Sequence, residues 1–395
     1  MLGAPTDTGA RLPAYTPLFD FRVPLLVVVA FGMGRRALTF AAGLFAAAPD
    51  RLGRPGSVPE NVRALLCRSS PGRRTRLPQA GSSGATPLDS ITPAKGKPNM
   101  SNLKGVIPAL TTPFDAAGDV DEAKFRKQIE FMLNKRVHGV CVAGSTGEGH
   151  ALDADEFRRL TQITVDEVRG RVPVVAGIIA NSTREVIRRG KAVADLAIDA
   201  LQITPVHYVF VPDDESNFQH YKTVCEALGR PVLLYNVVPT NLLSTQLVLR
   251  ILNEIPLVVG IKQSQGHITR VAELVANAPK DKVILAAIDN LLYSCFSFGA
   301  HGTLAASPTG APGPIVRLWD AVQAGDHKTA LAIHHRLVNW WSVLTHGNLP
   351  ACIKYSLLLQ GLDCGVSRQP MPMPDAVTKA AIERTIRPLL EFDIA

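Results

Sequence analysis

The run Leu257-Val258-Val259-Gly260-Ile261-Lys262 decides the architecture, because it is apolar throughout and closes on a charged residue. Strands buried on both faces of a parallel sheet read this way, as near-continuous apolar runs with no polar alternation. Upstream, Pro231-Val232-Leu233-Leu234-Tyr235 repeats the pattern and closes on a phenol. Working outward, similar runs occupy residues 105–111, 139–143, 172–179, 200–204, 283–287 and 302–306. Amphipathic stretches separate them, among them Asp121–Arg136, Asp153–Val168, Thr183–Ile198 and Asp214–Leu228. Eight β-then-α units over residues 100–312 predict a (β/α)8 TIM barrel, class α/β. The alternative is a doubly wound open sheet. Such a sheet usually places a glycine-rich nucleotide turn after its first strand, where this chain has Thr111-Thr112-Pro113-Phe114.

Residues 313–395 carry helical patterns at 314–324, 327–343, 349–360 and 374–390, which predict a C-terminal helical subdomain. Trp340 and Trp341 are adjacent, and neighbours on a helix do not share a face. Two covered surfaces are therefore expected there.

Charge is distributed unevenly. Residues 1–99 hold 11 Arg and 2 Lys against 4 Asp and 1 Glu, which accounts for the whole net charge of +8; 29 basic and 29 acidic residues remain beyond them. The body is neutral and shows no basic stripe for a phosphate backbone, so no nucleic-acid partner is expected. The six cysteines, at 67, 141, 225, 295, 352 and 364, form no C-x-x-C pair, and no histidines cluster at ligand spacing. That pattern argues against a metal site or disulfide framework and suits a reducing, cytoplasmic setting.

The first 99 residues differ from the rest. Their apolar stretches, Val23–Met33 and Ala37–Pro49, are each shorter than the roughly 20 residues of a membrane span. Three readings are open: a secretory signal, an arginine-rich transit peptide, and upstream sequence translated from a misplaced start with Met100 as the natural beginning. The third is preferred. On any of them, residues 68–97 are expected to be disordered. No membrane association is expected.

Active sites of barrels lie at the C-terminal ends of the strands. Three chemically useful elements fall there: Lys262 after strand six, Tyr235 after strand five, and Ser145-Thr146 within Gly144-Ser145-Thr146-Gly147-Glu148-Gly149 after strand two. Burial disfavours a charged ammonium, and a lysine left partly neutral attacks carbonyls to form a Schiff base. A phenol can carry protons to and from the carbinolamine. Small hydroxyls and the amides of a glycine-rich turn can hold a carboxylate. Each element has a plainer reading: a lysine snorkelling to water, a core tyrosine, a tight turn in which Glu148 bonds loop amides. Asp289 can be a helix cap, and Tyr208 loop surface. The turn is not a P-loop, because no Lys-Ser/Thr pair completes it. Thr111, Gly144, Tyr208, Asp289 and Ser307 join Thr146 as candidate substrate-binding residues; Lys262, Tyr235 and Ser145 are the candidate catalytic ones.

The body also resembles the dihydrodipicolinate synthase / N-acetylneuraminate lyase superfamily of Schiff-base aldolases. The resemblance rests on Ala109-Leu110-Thr111-Thr112-Pro113-Phe114, on Gly144–Glu148 with Glu156 beyond it, on Leu234-Tyr235-Asn236, and on Gly260-Ile261-Lys262-Gln263. It implies a barrel with C-terminal helices, usually a homotetramer or dimer, acting without metal or organic cofactor. It further implies that Lys262 forms the Schiff base, that Tyr235 relays protons, that Ser145 bonds this tyrosine, and that Thr146 meets the 2-oxo acid carboxylate. Two departures bear on substrate. After Tyr235 this chain reads Asn236-Val237-Val238-Pro239-Thr240-Asn241, with one residue inserted before the proline and no arginine following. Thr204-Pro205-Val206-His207-Tyr208 holds one tyrosine, displaced by a position, where the synthases carry a pair. Arginine's fork is not easily replaced in carboxylate recognition. The expected function is therefore a lyase, aldolase or dehydratase acting on pyruvate or a longer 2-oxo acid through Lys262. Authentic 4-hydroxy-tetrahydrodipicolinate synthase and a non-catalytic 2-oxo acid sensor are the alternatives.

Overall fold

The computed structural model describes residues 103–264 and 267–394. The expectations for the first 99 residues, Cys67 among them, lie outside the described part. Eight strands alternate with helices: β1 Gly105–Pro108, β2 Val140–Val142, β3 Val174–Ile178, β4 Ala200–Ile203, β5 Val232–Asn236, β6 Val258–Gln263, β7 Val283–Ala286 and β8 Gly302–Ala305. Helices α1 Glu122–Asn134, α2 Ala154–Val168, α3 Thr183–Ala192, α4 Asp214–Leu228, α5 Thr245–Glu254, α6 Ile268–Asn277 and α7 Leu292–Ser297 lie between them. Strand ladders run in parallel from β2 round to β8 and on to β1. A parallel bridge between Ala109 and Cys141, with Leu110 N–H donating to Cys141 O at 2.9 Å, brings β1 to β2. The result is a (β/α)8 barrel.

Its apolar residues divide in two, as the all-round apolarity of the strands requires. Ile107, Cys141, Val175, Leu233, Leu285 and Leu304 pack together as one cluster that fills the barrel, while the alternate strand residues join the helices in a second, larger cluster. The five described cysteines are free and buried.

Helix starts follow from capping chemistry. Asp121, Asp153, Ser182, Asp213, Ser244, Asp326 and Asp375 each accept a backbone N–H from the first turn of the helix they precede. Asp153 and Glu156 form a reciprocal capping box. The stretch expected as one helix to Ile198 leaves helical geometry after Ala192. Short turns there deliver Asp199, whose Oδ2 accepts Val174 N–H at 2.8 Å and so tethers the start of β3.

The chain continues as α8 Ser307–Gly310, α9 Pro312–Gln323, α10 His327–Leu344, α11 Leu349–Leu358 and α12 Ala376–Leu390. The expected junction between residues 312 and 313 falls at the first residue of α9. Helix α10 packs on α9 and α12. Trp340 is fully buried, and Trp341, on the next face, is only half-buried. Among the described residues no helix is long and apolar enough to cross a membrane.

Candidate active site

β5 and β6 place their functional side chains by register: Tyr235 pairs with Lys262, and Asn236 with Gln263. Asn236 fixes these strand ends, donating to Gln263 Oε1 at 3.0 Å and to Leu243 O at 3.1 Å while accepting Leu243 N–H at 3.0 Å. Lys262 and Tyr235 are both buried, and Lys262 Nζ lies 3.9 Å from the Tyr235 ring centroid. The Tyr235 hydroxyl stands 3.1 Å from Ser145 Oγ. An ammonium, a phenol and an alcohol thus line up across three strand ends.

The turn carrying Ser145 is rigid for reasons visible in its glycines. Gly144 O accepts N–H bonds from both Gly147 and Gly149, each at 3.0 Å. A Cβ on Gly147 would sit 2.7 Å from Leu110 O, and one on Gly149 would sit 2.0 Å from Ala143 O. Ala143 and Glu148, flanking the turn, adopt positive φ of 56° and 53°, a region that non-glycine residues rarely occupy. Such strain persists only where surrounding contacts over-determine it. Among the described residues the amides of Ser145 and Thr146 have no acceptor, so two successive N–H groups and the Thr146 hydroxyl remain for an anion.

Those over-determining contacts come from α11 and from the segment that follows it. Glu148 does not bond the amides of its own turn. Its Oε1 accepts from Lys354 Nζ at 2.7 Å, and its Oε2 accepts Arg368 N–H at 3.0 Å. Lys354 also donates to Val366 O, and burial pulls its ammonium below the ordinary lysine range against the opposing pull of Glu148. The Arg368 guanidinium makes a two-pronged bond to Glu156, at 2.8 and 2.5 Å, and lies 4.2 Å from the Phe114 ring centroid.

A cavity of about 360 Å³ opens over the reactive line. Its wall includes five of the residues singled out in the sequence: Lys262, Tyr235, Ser145, Thr146 and Asp289. Asp289 is buried and does not cap the following helix; its Oδ1 accepts Ser307 N–H at 2.8 Å. Burial pushes its carboxyl above the ordinary range, while Ser307 and the charge of Lys262 pull it back.

The other four sit elsewhere. Thr111 spends its N–H and hydroxyl on Gln128 Oε1, at 2.9 and 3.1 Å, within the core. Gly144 lies beneath the turn, with Gln202 and Cys141 as its neighbours. Ser307 stands behind Asp289, outside the cavity wall. Tyr208 is 69% exposed in the loop after β4. Sequence reasoning missed Val237, Ser264, Trp341, Leu349 and Pro350, which with Ala287, Ala305 and Ala306 complete the wall. The adjacent tryptophans were the one signal that α10 serves a second surface.

Comparison with known proteins agrees with this geometry. The model of the Dihydrodipicolinate synthetase family matches residues 102–388. The chain is 32% identical to the 4-hydroxy-tetrahydrodipicolinate synthase of Methanopyrus kandleri over 73% of its own length and 96% of that protein's. It is likewise 32% identical to the Bacillus subtilis enzyme of that name, over 68% and 93% of the two chains. Among solved structures, dihydrodipicolinate synthase DapA-2 from Bacillus anthracis superposes with a TM-score of 0.69 at 28% identity, covering 72% of this chain and 97% of that one. The chloride-inhibited dihydrodipicolinate synthase of Acinetobacter baumannii, solved with pyruvate, gives 0.68 at 27% identity, covering 72% and 98%.

Proposed function

This chain belongs to the dihydrodipicolinate synthetase family, whose members are lyases that form a Schiff base with pyruvate on a lysine, and we propose that its cavity performs that chemistry on pyruvate or a longer 2-oxo acid through Lys262. The observation that carries the reading is the line Lys262, Tyr235, Ser145, with Nζ 3.9 Å from the phenol ring and the phenol oxygen 3.1 Å from the serine hydroxyl.

In this reading the Lys262 amine attacks the C2 carbonyl of the 2-oxo acid. Its oxygen takes a proton from Tyr235 and the attacking nitrogen returns one to the phenolate, giving a neutral carbinolamine. A second proton, delivered along Ser145 and Tyr235, lets that hydroxyl leave as water and an iminium forms. The substrate carboxylate rests on the amides of Ser145 and Thr146 and on the Thr146 hydroxyl. The iminium withdraws electrons from C3, so a C3 proton can be lost to give an enamine, or a C3–C4 bond can break with its pair moving toward nitrogen. Tyr235 takes or supplies the matching proton. Residues 100–312 supply this chemistry, and residues 313–395 supply part of the cavity wall.

Borohydride reduction in the presence of pyruvate tests the reading. A covalent adduct that maps to Lys262 and is absent from Lys262→Ala is expected. Pyruvate binding without any trapped adduct would instead favour a 2-oxo acid sensor. A second reading, 4-hydroxy-tetrahydrodipicolinate synthase itself, is favoured by the names of the relatives. Turnover of pyruvate with aspartate semialdehyde would establish it.

The enzyme is further proposed to act in the cytoplasm as a homotetramer or dimer. Tyr208, Val209, Phe210 and Val211 are 69%, 69%, 85% and 54% exposed in one loop, an apolar run that a second copy would cover. Sedimentation at equilibrium reads the assembly directly.

A further inference from the structure

The cavity lining is of two kinds. From the strand ends, Lys262, Tyr235, Ser145 and Thr146 provide for the 2-oxo acid. From the C-terminal helices, Trp341 of α10 with Leu349 and Pro350 of α11 contributes an apolar wall, joined by Val237 from the loop after β5. Among the described residues lining the cavity, Lys262 is the one cation, and its nitrogen is neutral in the enamine that meets the second reactant. Asp289 adds a carboxyl to the same lining. Asn241, in the segment after β5, turns away from the cavity: its side chain donates to Val206 O at 2.9 Å and exchanges hydrogen bonds with Asn217. A carboxylate on the second reactant would therefore be desolvated without a cation, which is strongly unfavourable. An apolar body would bury against the wall, and an aromatic one would stack on the exposed part of the Trp341 indole. Ser264 contributes a buried hydroxyl that has no partner among the described residues beside this space.

We propose that the second reactant is an uncharged aldehyde with an aromatic or branched aliphatic body seated against Trp341 and Leu349. This rests on the Schiff-base reading above. The Lys262 enamine of pyruvate attacks the aldehyde carbon through C3, and the new C–C bond forms as the carbonyl pair moves to oxygen. That oxygen takes the Tyr235 proton, leaving a hydroxyl within reach of Ser264. Water then adds at C2 of the restored iminium, expelling a 4-hydroxy-2-oxo acid and returning the Lys262 amine. The sum is pyruvate plus aldehyde, with no oxidant or reductant, and the same steps reversed give cleavage.

The test gives the full chain pyruvate with benzaldehyde, isobutyraldehyde, succinic semialdehyde or aspartate semialdehyde, and follows pyruvate loss. Borohydride trapping with pyruvate alone runs in parallel. The proposal expects kcat/KM for benzaldehyde to exceed that for succinic semialdehyde by at least about tenfold. Leu349→Asn and Trp341→Ala should each shrink that ratio about tenfold. If a substituted chain fails to fold, the ratio measured on the unsubstituted chain still decides. Equal or better use of the charged aldehydes overturns the proposal. So does a trapped pyruvate adduct with no uncharged aldehyde consumed; in both cases the Schiff-base reading survives. Absence of the adduct overturns both.

Discussion

Lys354 Nζ lies 2.7 Å from Glu148 Oε1 with both side chains almost wholly excluded from water, so one ion pair ties α11 to the turn that carries Ser145 and Thr146. The C-terminal helices do more than cover the barrel. They hold the candidate anion site in a backbone shape that Ala143 and Glu148 would not adopt alone.

Removing one member of this pair leaves the other buried without its counter-charge. Lys354→Met is expected to destabilise the chain by about 3–5 kcal/mol, read from urea unfolding. Glu148→Gln added to Lys354→Met should recover part of that loss. A double variant no more stable than Lys354→Met would show that the charge pairing matters less than the packing.

Acid sensitivity has a definite sign at Glu156. The Arg368 guanidinium holds this carboxyl below its ordinary 4.5. The folded chain then binds fewer protons than the unfolded one as pH falls through that region, so the pair's stabilisation is present above about pH 4.5 and is lost below it. Glu156→Gln should cost about 2 kcal/mol at pH 7 and flatten the fall of Tm between about pH 5 and 3. Parallel Tm–pH curves for the two proteins would contradict this.

Tyr235→Phe keeps the ring beside Lys262 and removes the hydroxyl that meets Ser145. Pyruvate should still be trapped on Lys262, more slowly, while turnover falls about 10²–10⁴-fold, the usual worth of a positioned acid–base group. Single-turnover trapping and steady-state rates separate the two effects. Undiminished turnover would remove Tyr235 from the proton path.

Gly177 on β3 supports the same turn from below. A Cβ there would stand 2.7 Å from Ala143 O and 3.0 Å from the Gly144 Cα, both backbone atoms that cannot swing aside. Gly177→Ala should therefore displace the Ser145 turn, raising KM for the 2-oxo acid at least about tenfold. An unchanged KM would mean that the turn does not hold the substrate.

The strands were legible because burial on both faces leaves only apolar residues, and every predicted strand overlaps an observed one. Lys262, Tyr235, Ser145, Thr146 and Asp289 could be brought together on paper because barrel topology carries every strand end to one rim. Trp341, Leu349 and Pro350 could not. Nothing in a helical period says which distant cavity a helix face meets: the Trp340-Trp341 pair signals a second covered surface without saying what covers it. Lys354 carries its own signal: a lone charge within the apolar stretch Leu349–Leu358 demands a buried partner. Thr111 looked like a contact because it follows a strand, yet Gln128 takes both of its donors.

Lys262 and Tyr235 stand on neighbouring strands locked by ladder hydrogen bonds, whereas most of the apolar wall stands on the adjoining ends of α10 and α11. Descendants of this chain can therefore change what they metabolise by point changes at two helix ends, while the inherited machinery of bond making is passed on untouched.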